Sequence, residues 1–272
     1  MAFLRVVRAE FVKYFVQQFV TFRTAFWFLI FPFANGLLFY SMYLPFTNRL
    51  IPFDVLGFNL AVDILGFTLI GQLLYGFFAG VSLAGSQFDL ERSQGTFEAM
   101  LLTPASRIAI LLGFLGGAAA QYLWLIIGGV IVLLTFYHFP ILLNDPTAFI
   151  LSLAFTYTAL ISLGLCLEAV FIHSRRGIML GIMLQEPIAF ASGTAVPTNA
   201  FPYYFAILTY LIPLTLGLIC VRLTLLAGAT LTTILSPLFG LVVMTLVLPL
   251  LGRWLIARAE ASAKAQGTLG LF

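Results

Sequence analysis

Charge is what this sequence has least of: Asp, Glu, Lys and Arg make up 8% of 272 residues, against about 25% in soluble domains. With 62% hydrophobic residues and a mean hydropathy of +1.10, that scarcity excludes a water-soluble fold, because too little polar surface is left to cover the apolar remainder. Lysine occurs twice, as Lys13 after Val12 and Lys264 after Ala263. Neither follows a glycine, so a phosphate-gripping G-x-x-x-x-G-K-[ST] loop is excluded. Histidine also occurs twice, at His138 and His173, with no H-E-x-x-H and no G-x-S-x-G elbow, which argues against metalloprotease and hydrolase sites. Cys166 and Cys220 lie in apolar stretches and read as small buried hydrophobes. The net charge of +3 is modest and forms no nucleic-acid patch.

What is present is long apolar runs. They are continuous rather than alternating, so each segment satisfies its own backbone as a helix and not as a barrel strand. The expected class is an all-α integral membrane protein, one domain over residues 1–272. Six spans are predicted: Thr24 to Leu44, Val62 to Leu83, Ile108 to Phe136, Ala148 to Ile172, Ile178 to Ala191 and Leu231 to Leu255. Before them, Arg5, Arg8, Glu10, Lys13 and Arg23 interrupt any signal-peptide core, so no cleavable signal is expected. Residues 1–22 read as an interfacial helix, with Phe3, Leu4, Val7, Phe11, Tyr14 and Phe15 on a membrane-facing side and Arg5, Arg8, Glu10, Lys13 and Gln17 elsewhere. The competing reading makes it an extension of the first span.

Between the fifth and sixth spans, residues 192–230 are apolar but broken by Pro197, Pro202 and Pro213. A full crossing there would strand Arg253, Arg258 and Lys264 outside. Two short re-entrant helices instead leave both termini cytoplasmic and put all basic residues except Arg49 and Arg222 inside. The predicted location is the cell inner (plasma) membrane.

The connection after the second span, residues 88–106, is polar and cytoplasmic on that topology. Gly95 permits a turn, and Phe97, Met100 and Leu101 share one face of a short helix starting at Thr96. Thr103 and Pro104 read as a cap and first-turn proline for the third span. Asp89, Glu91, Arg92 and Glu98 flank the apolar knob, a pattern that suits docking to another protein. An ordinary solvated hairpin would share the periodicity.

Glu91-Arg-Ser-Gln-Gly-Thr, followed by Leu101-Leu-Thr-Pro104, resembles the cytoplasmic signature of ABC-2 type transporter permeases, shortened here by one residue before Thr103. Phe201-Pro-Tyr-Tyr, Ile212-Pro-Leu-Thr, Arg222 and Leu225-Leu-Ala-Gly228 resemble the family's stretch before the last span, with Pro202, Pro213, Arg222 and Gly228 as its markers. The resemblance implies a permease that pairs with a second copy or a paralogue, contacts membrane lipids, and seats residues 89–104 on a cytoplasmic ATPase present in two copies. ATP and Mg would be bound by that partner, with no cofactor in this chain. The implied activity is outward transport of a drug-like or lipid substrate; a glycolipid or polysaccharide cargo is the alternative. A secondary transporter would need more mid-membrane ion-coupling groups than Glu186 offers, and a membrane-embedded enzyme would need a polar cluster that the sequence lacks.

Gln185 and Glu186 stand beside Pro187 in the fifth span. An ionisable group there points to the substrate path or a dimer interface, or to an internal bond closing a proline kink. Gly76 with Gly80, Gly113 with Gly117 and Gly177 with Gly181 have the spacing that brings helices close, chiefly within one subunit.

Overall fold

The structure is a computed structural model describing residues 2–19, 22–43, 45, 50–55, 58–84, 91, 95, 106–136, 142–171 and 177–265. In chain order its helices are α1 (Ala2–Phe19), α2 (Phe22–Tyr43), α3 (Ile64–Ala84), α4 (Arg107–Phe136), α5 (Pro146–Phe171), α6 (Gly177–Ala191), α7 (Tyr203–Thr209), α8 (Pro213–Leu226) and α9 (Leu235–Ala265). A 3-10 turn, Thr198–Ala200, precedes α7.

Among the described residues, four stretches are long and apolar enough to cross a membrane, Ile64–Ser82, Ile108–Ile131, Pro146–Leu167 and Leu235–Arg258, or five if the bent pair α7 and α8 counts as one span. The chain is therefore a multi-pass membrane protein. α3 is its axis: 83% of Ile64–Ser82 is buried within the subunit, against 22% of Leu235–Arg258. Phe67, Phe77 and Phe78 of α3 are fully enclosed, with Phe77 stacked on Tyr157 of α5 at 3.8 Å. Gly80 makes room for Tyr122 of α4, where an added Cβ would collide with the ring. α9 lies on the outside against α5, where Gly252 approaches Leu165 and Cys166, and the Cys166 thiol donates to the Leu248 carbonyl at 3.3 Å. The long outward apolar face of α9 can stay exposed because lipid solvates it.

Three features depart from the sequence reading. An antiparallel hairpin, β1 (Leu50–Val55) and β2 (Phe58–Asp63), joins α2 to α3, pairing Leu50 with Asp63 and Val55 with Phe58. The second span accordingly begins at Ile64 rather than Val62, and the Asp63 carboxylate accepts the Leu65 N–H at 3.4 Å across the start of α3. The fifth predicted span is a helix of 15 residues, about 22 Å at 1.5 Å per residue, short of about 30 Å of hydrocarbon. The third departure concerns α1. Val7, Phe11 and Tyr14 of its apolar stripe pack along α4, while Phe3 and Leu4 of the same stripe stay exposed.

The proline-broken segment folds as the sequence suggests. Pro202 stands before α7, Pro213 opens α8, and the two helices meet at 89°. Proline tolerates the first helical turn, where its missing N–H has no partner to lose. Gly228, with φ +63°, lets the chain turn away from α8 as the Ala227 and Ala229 amides both donate to the Leu223 carbonyl. Asp145 then ties this turn to α5: one carboxylate oxygen accepts the Thr147 and Ala148 amides at 3.1 Å, and the other accepts the Leu231 amide at 3.0 Å. The Thr147 hydroxyl bond at 2.6 Å, with those amides, holds the Asp145 carboxyl below its ordinary range.

Candidate functional site

The connection between α3 and α4, expected from the sequence to be cytoplasmic, carries most of the predicted site residues. Asp89, Arg92, Thr96, Phe97, Glu98, Met100, Leu101 and Pro104 lie outside the described residues. Glu91 and Gly95 are described. Gly95 has φ +72°, the left-handed backbone that a turn at this position needs and that favours glycine. Glu91 is not splayed into solvent: it is 5% exposed, and its carboxylate meets the Lys13 ammonium at 2.5 Å.

That pairing depends on how α1 is held. Gly113 and Gly117 form a groove on α4: a Cβ at Gly113 would stand 2.5 Å from the Glu10 Cβ and 2.8 Å from the Val7 carbonyl, and one at Gly117 would stand 2.9 Å from the Tyr14 ring. Tyr14 is consequently buried, tilted against Phe114, and the Lys13 ammonium sits 5.7 Å above the same Phe114 ring. Two of the glycines singled out by spacing thus pack helices within one subunit. Lys13 also lies 3.8 Å from Glu10, whose inner carboxylate oxygen is buried without a hydrogen bond. Burial pushes the Glu10 carboxyl above its ordinary range; Lys13 pulls it back and Glu91 adds to the rise. The result is one cation between two carboxylates at the junction of α1, α4 and the cytoplasmic connection. The sequence reading placed Lys13 and Glu10 on a headgroup-facing side and missed this role; opposite charges on two cytoplasmic elements were the available signal.

A second polar constellation lies at the far end of α3. Arg222 is 2% exposed, and its guanidinium donates to the carbonyls of Gly193 at 2.7 Å, Thr194 at 2.8 Å and Phe67 at 2.9 Å, while stacking over the Phe67 ring at 3.5 Å. Gly193 has φ +82° and turns the chain off α6, which leaves its carbonyl and that of Thr194 unpaired by the helix. Arg222 supplies their donors and places a positive charge at the negative end of α6. Gly71 opens the space, since a Cβ there would meet the Thr194 carbonyl oxygen and lie 2.6 Å from the guanidinium. Tyr43 adds a further tie by donating to the Ala195 carbonyl at 2.9 Å. Arg222 is thus a clamp buried inside the subunit.

Gln185 and Glu186 point in different directions. Gln185 is buried and donates to the Ala79 carbonyl at 3.1 Å and the Ser82 hydroxyl at 2.9 Å, so it faces α3 and no outer surface of the subunit. Glu186 lies on the exposed side of α6 with Ile182, Met183 and Phe190, and its carboxylate accepts the Tyr75 hydroxyl.

The described residues thus form a multi-pass bundle whose connection after α3 is pinned at Glu91 to the N-terminal helix. The profile of the ABC-2 type transporter family matches residues 2–226, from α1 to the end of α8, and the chain belongs to that family. It is a transmembrane permease component of an ABC-type transporter, a family that normally works with an ABC ATPase partner. No curated protein matches the chain.

Proposed function

We propose that this chain is the permease of an ATP-driven exporter, moving a lipophilic or amphipathic substrate such as a drug or lipid outward across the plasma membrane. ATP and Mg are bound by a separate ATPase in two copies, and a second permease copy or paralogue completes the pore. The observation that carries this reading is the buried Lys13–Glu91 pair. Glu91 opens the Glu-Arg-x-x-Gly-Thr stretch, and the pair fixes that stretch to a helix that is itself locked on α4. Force delivered to a docking helix over Thr96 to Leu101 would therefore reach the spans on both sides of it.

Six crossings with both termini cytoplasmic fit this scheme, with α7 and α8 dipping in and returning. Glu186 belongs at the dimer interface or substrate path, because a carboxyl on an otherwise apolar outer face costs roughly 2.5 to 3.5 kcal/mol in lipid. The direct test is co-expression with the partner ATPase, then ATP hydrolysis in nanodiscs against a panel of lipids and drugs. Stimulation by at least one amphipath is expected. An ATPase that associates equally well after Glu91→Ala and Phe97→Ala would refute the docking assignment.

A further inference from the structure

Resting on the permease reading, we propose that α6 is a hinged lever driven by α3 through the adjacent residues Gln185 and Glu186. α3 is described as far as Ala84, the end that leads toward the connection at Glu91, and Tyr75, Ala79 and Ser82 lie along one of its faces at helical spacing toward that end. All three hold α6. Tyr75 donates to Glu186, and Gln185 donates to the Ala79 carbonyl at 3.1 Å and to Ser82 at 2.9 Å. In lipid such bonds have no water to replace them, so the lower half of α6 follows the lower half of α3.

The next residue is Pro187, inside α6. It has no N–H for the Met183 carbonyl and its ring crowds that carbonyl, which makes this the weakest point of the helix ladder. Beyond it, the chain leaving α6 is fixed by Arg222 through Gly193 and Thr194. α6 is thus gripped below by the helix that receives force, released at Pro187, and anchored above to α8. A displacement of α3 then swings the exposed face around Met183, which is 61% exposed, while the outer end stays in place.

The test uses the full permease with its partner ATPase in nanodiscs and a bimane label on Met183→Cys, the native Cys166 and Cys220 being buried. Trapping with ATP and vanadate is expected to shift the label's emission in the parent protein. Tyr75→Phe with Ser82→Ala is expected to lose that shift while ATP hydrolysis continues, and Tyr75→Phe alone to reduce it should the double variant fold poorly. A shift as large in the variants as in the parent, or none in a parent that binds the ATPase, would overturn the lever. An ATPase that never associates with the parent would overturn the permease reading itself, and the lever with it.

Discussion

Neutralising Lys13 should do more harm than neutralising its partner. Lys13→Met leaves a carboxylate with 7% side-chain exposure facing its absent cation, whereas Glu91→Gln leaves an ammonium that is 37% exposed and can be rehydrated. Exposed pairs contribute about 0–1 kcal/mol, and stranding one member of a fully buried pair costs about 3–5 kcal/mol. The half-exposed lysine places this pair between those limits, at about 2 kcal/mol for Lys13→Met, or up to about thirtyfold in the population of the docked connection. That fraction multiplies the apparent affinity for the partner ATPase, which a titration in nanodiscs reads directly. The Lys13→Met, Glu91→Gln double variant should bind better than Lys13→Met alone, since the more deeply buried of the two stranded carboxylates is gone and only Glu10 remains without its cation. Strictly additive losses around the cycle would refute the pairing argument.

Glu10→Gln should raise thermal stability at neutral pH by about 1 kcal/mol by removing a buried, unbonded ionised oxygen. Because the folded carboxyl is raised above its ordinary 4.5, the parent is most stable below that value and loses stability as pH rises through the folded value; melting curves that stay parallel from acid to neutral pH would contradict this. Arg222→Met removes the donors to the Gly193 and Thr194 carbonyls and an added one to Phe67, and should cost about 3–5 kcal/mol, read as a lower melting temperature in detergent. Gly71→Ala should be destabilising to a similar degree, because its Cβ meets backbone at Thr194 that no rotamer change can relieve, while Gly95→Ala strains only a turn with open space around it.

Hydropathy made most of the bundle legible because apolar length is a local property: α4, α5 and α9 start within a few residues of their predicted limits. Pro202, Pro213 and the conflict of charges beyond them revealed the bend between α7 and α8, because proline acts on its own residue's backbone. The hairpin was missed because Leu50 to Asp63 carries no strong turn dipeptide and merges into the apolar run of α3. The clamp made by Arg222 was not legible because the carbonyls of Gly193 and Phe67 are brought to it across 29 and 155 residues, which no local pattern shows. The stripe on α1 was seen correctly, but a face that suits lipid suits Gly113 and Gly117 equally well, and only the fold decides between them. Gln185 and Glu186 were singled out together, yet one residue of helix turns them about 100° apart.

The guanidinium that fastens α6 to its neighbours bonds through its two terminal nitrogens to main-chain oxygens, its Nε making no hydrogen bond, and among the described residues no acid stands opposite it. Nothing in that joint can take up a proton near neutrality, so its hold should be indifferent to an acidified exterior. Replacing the Thr194 side chain would leave its hydrogen bonds in place, whereas replacing Phe67 would remove the ring on which it stacks.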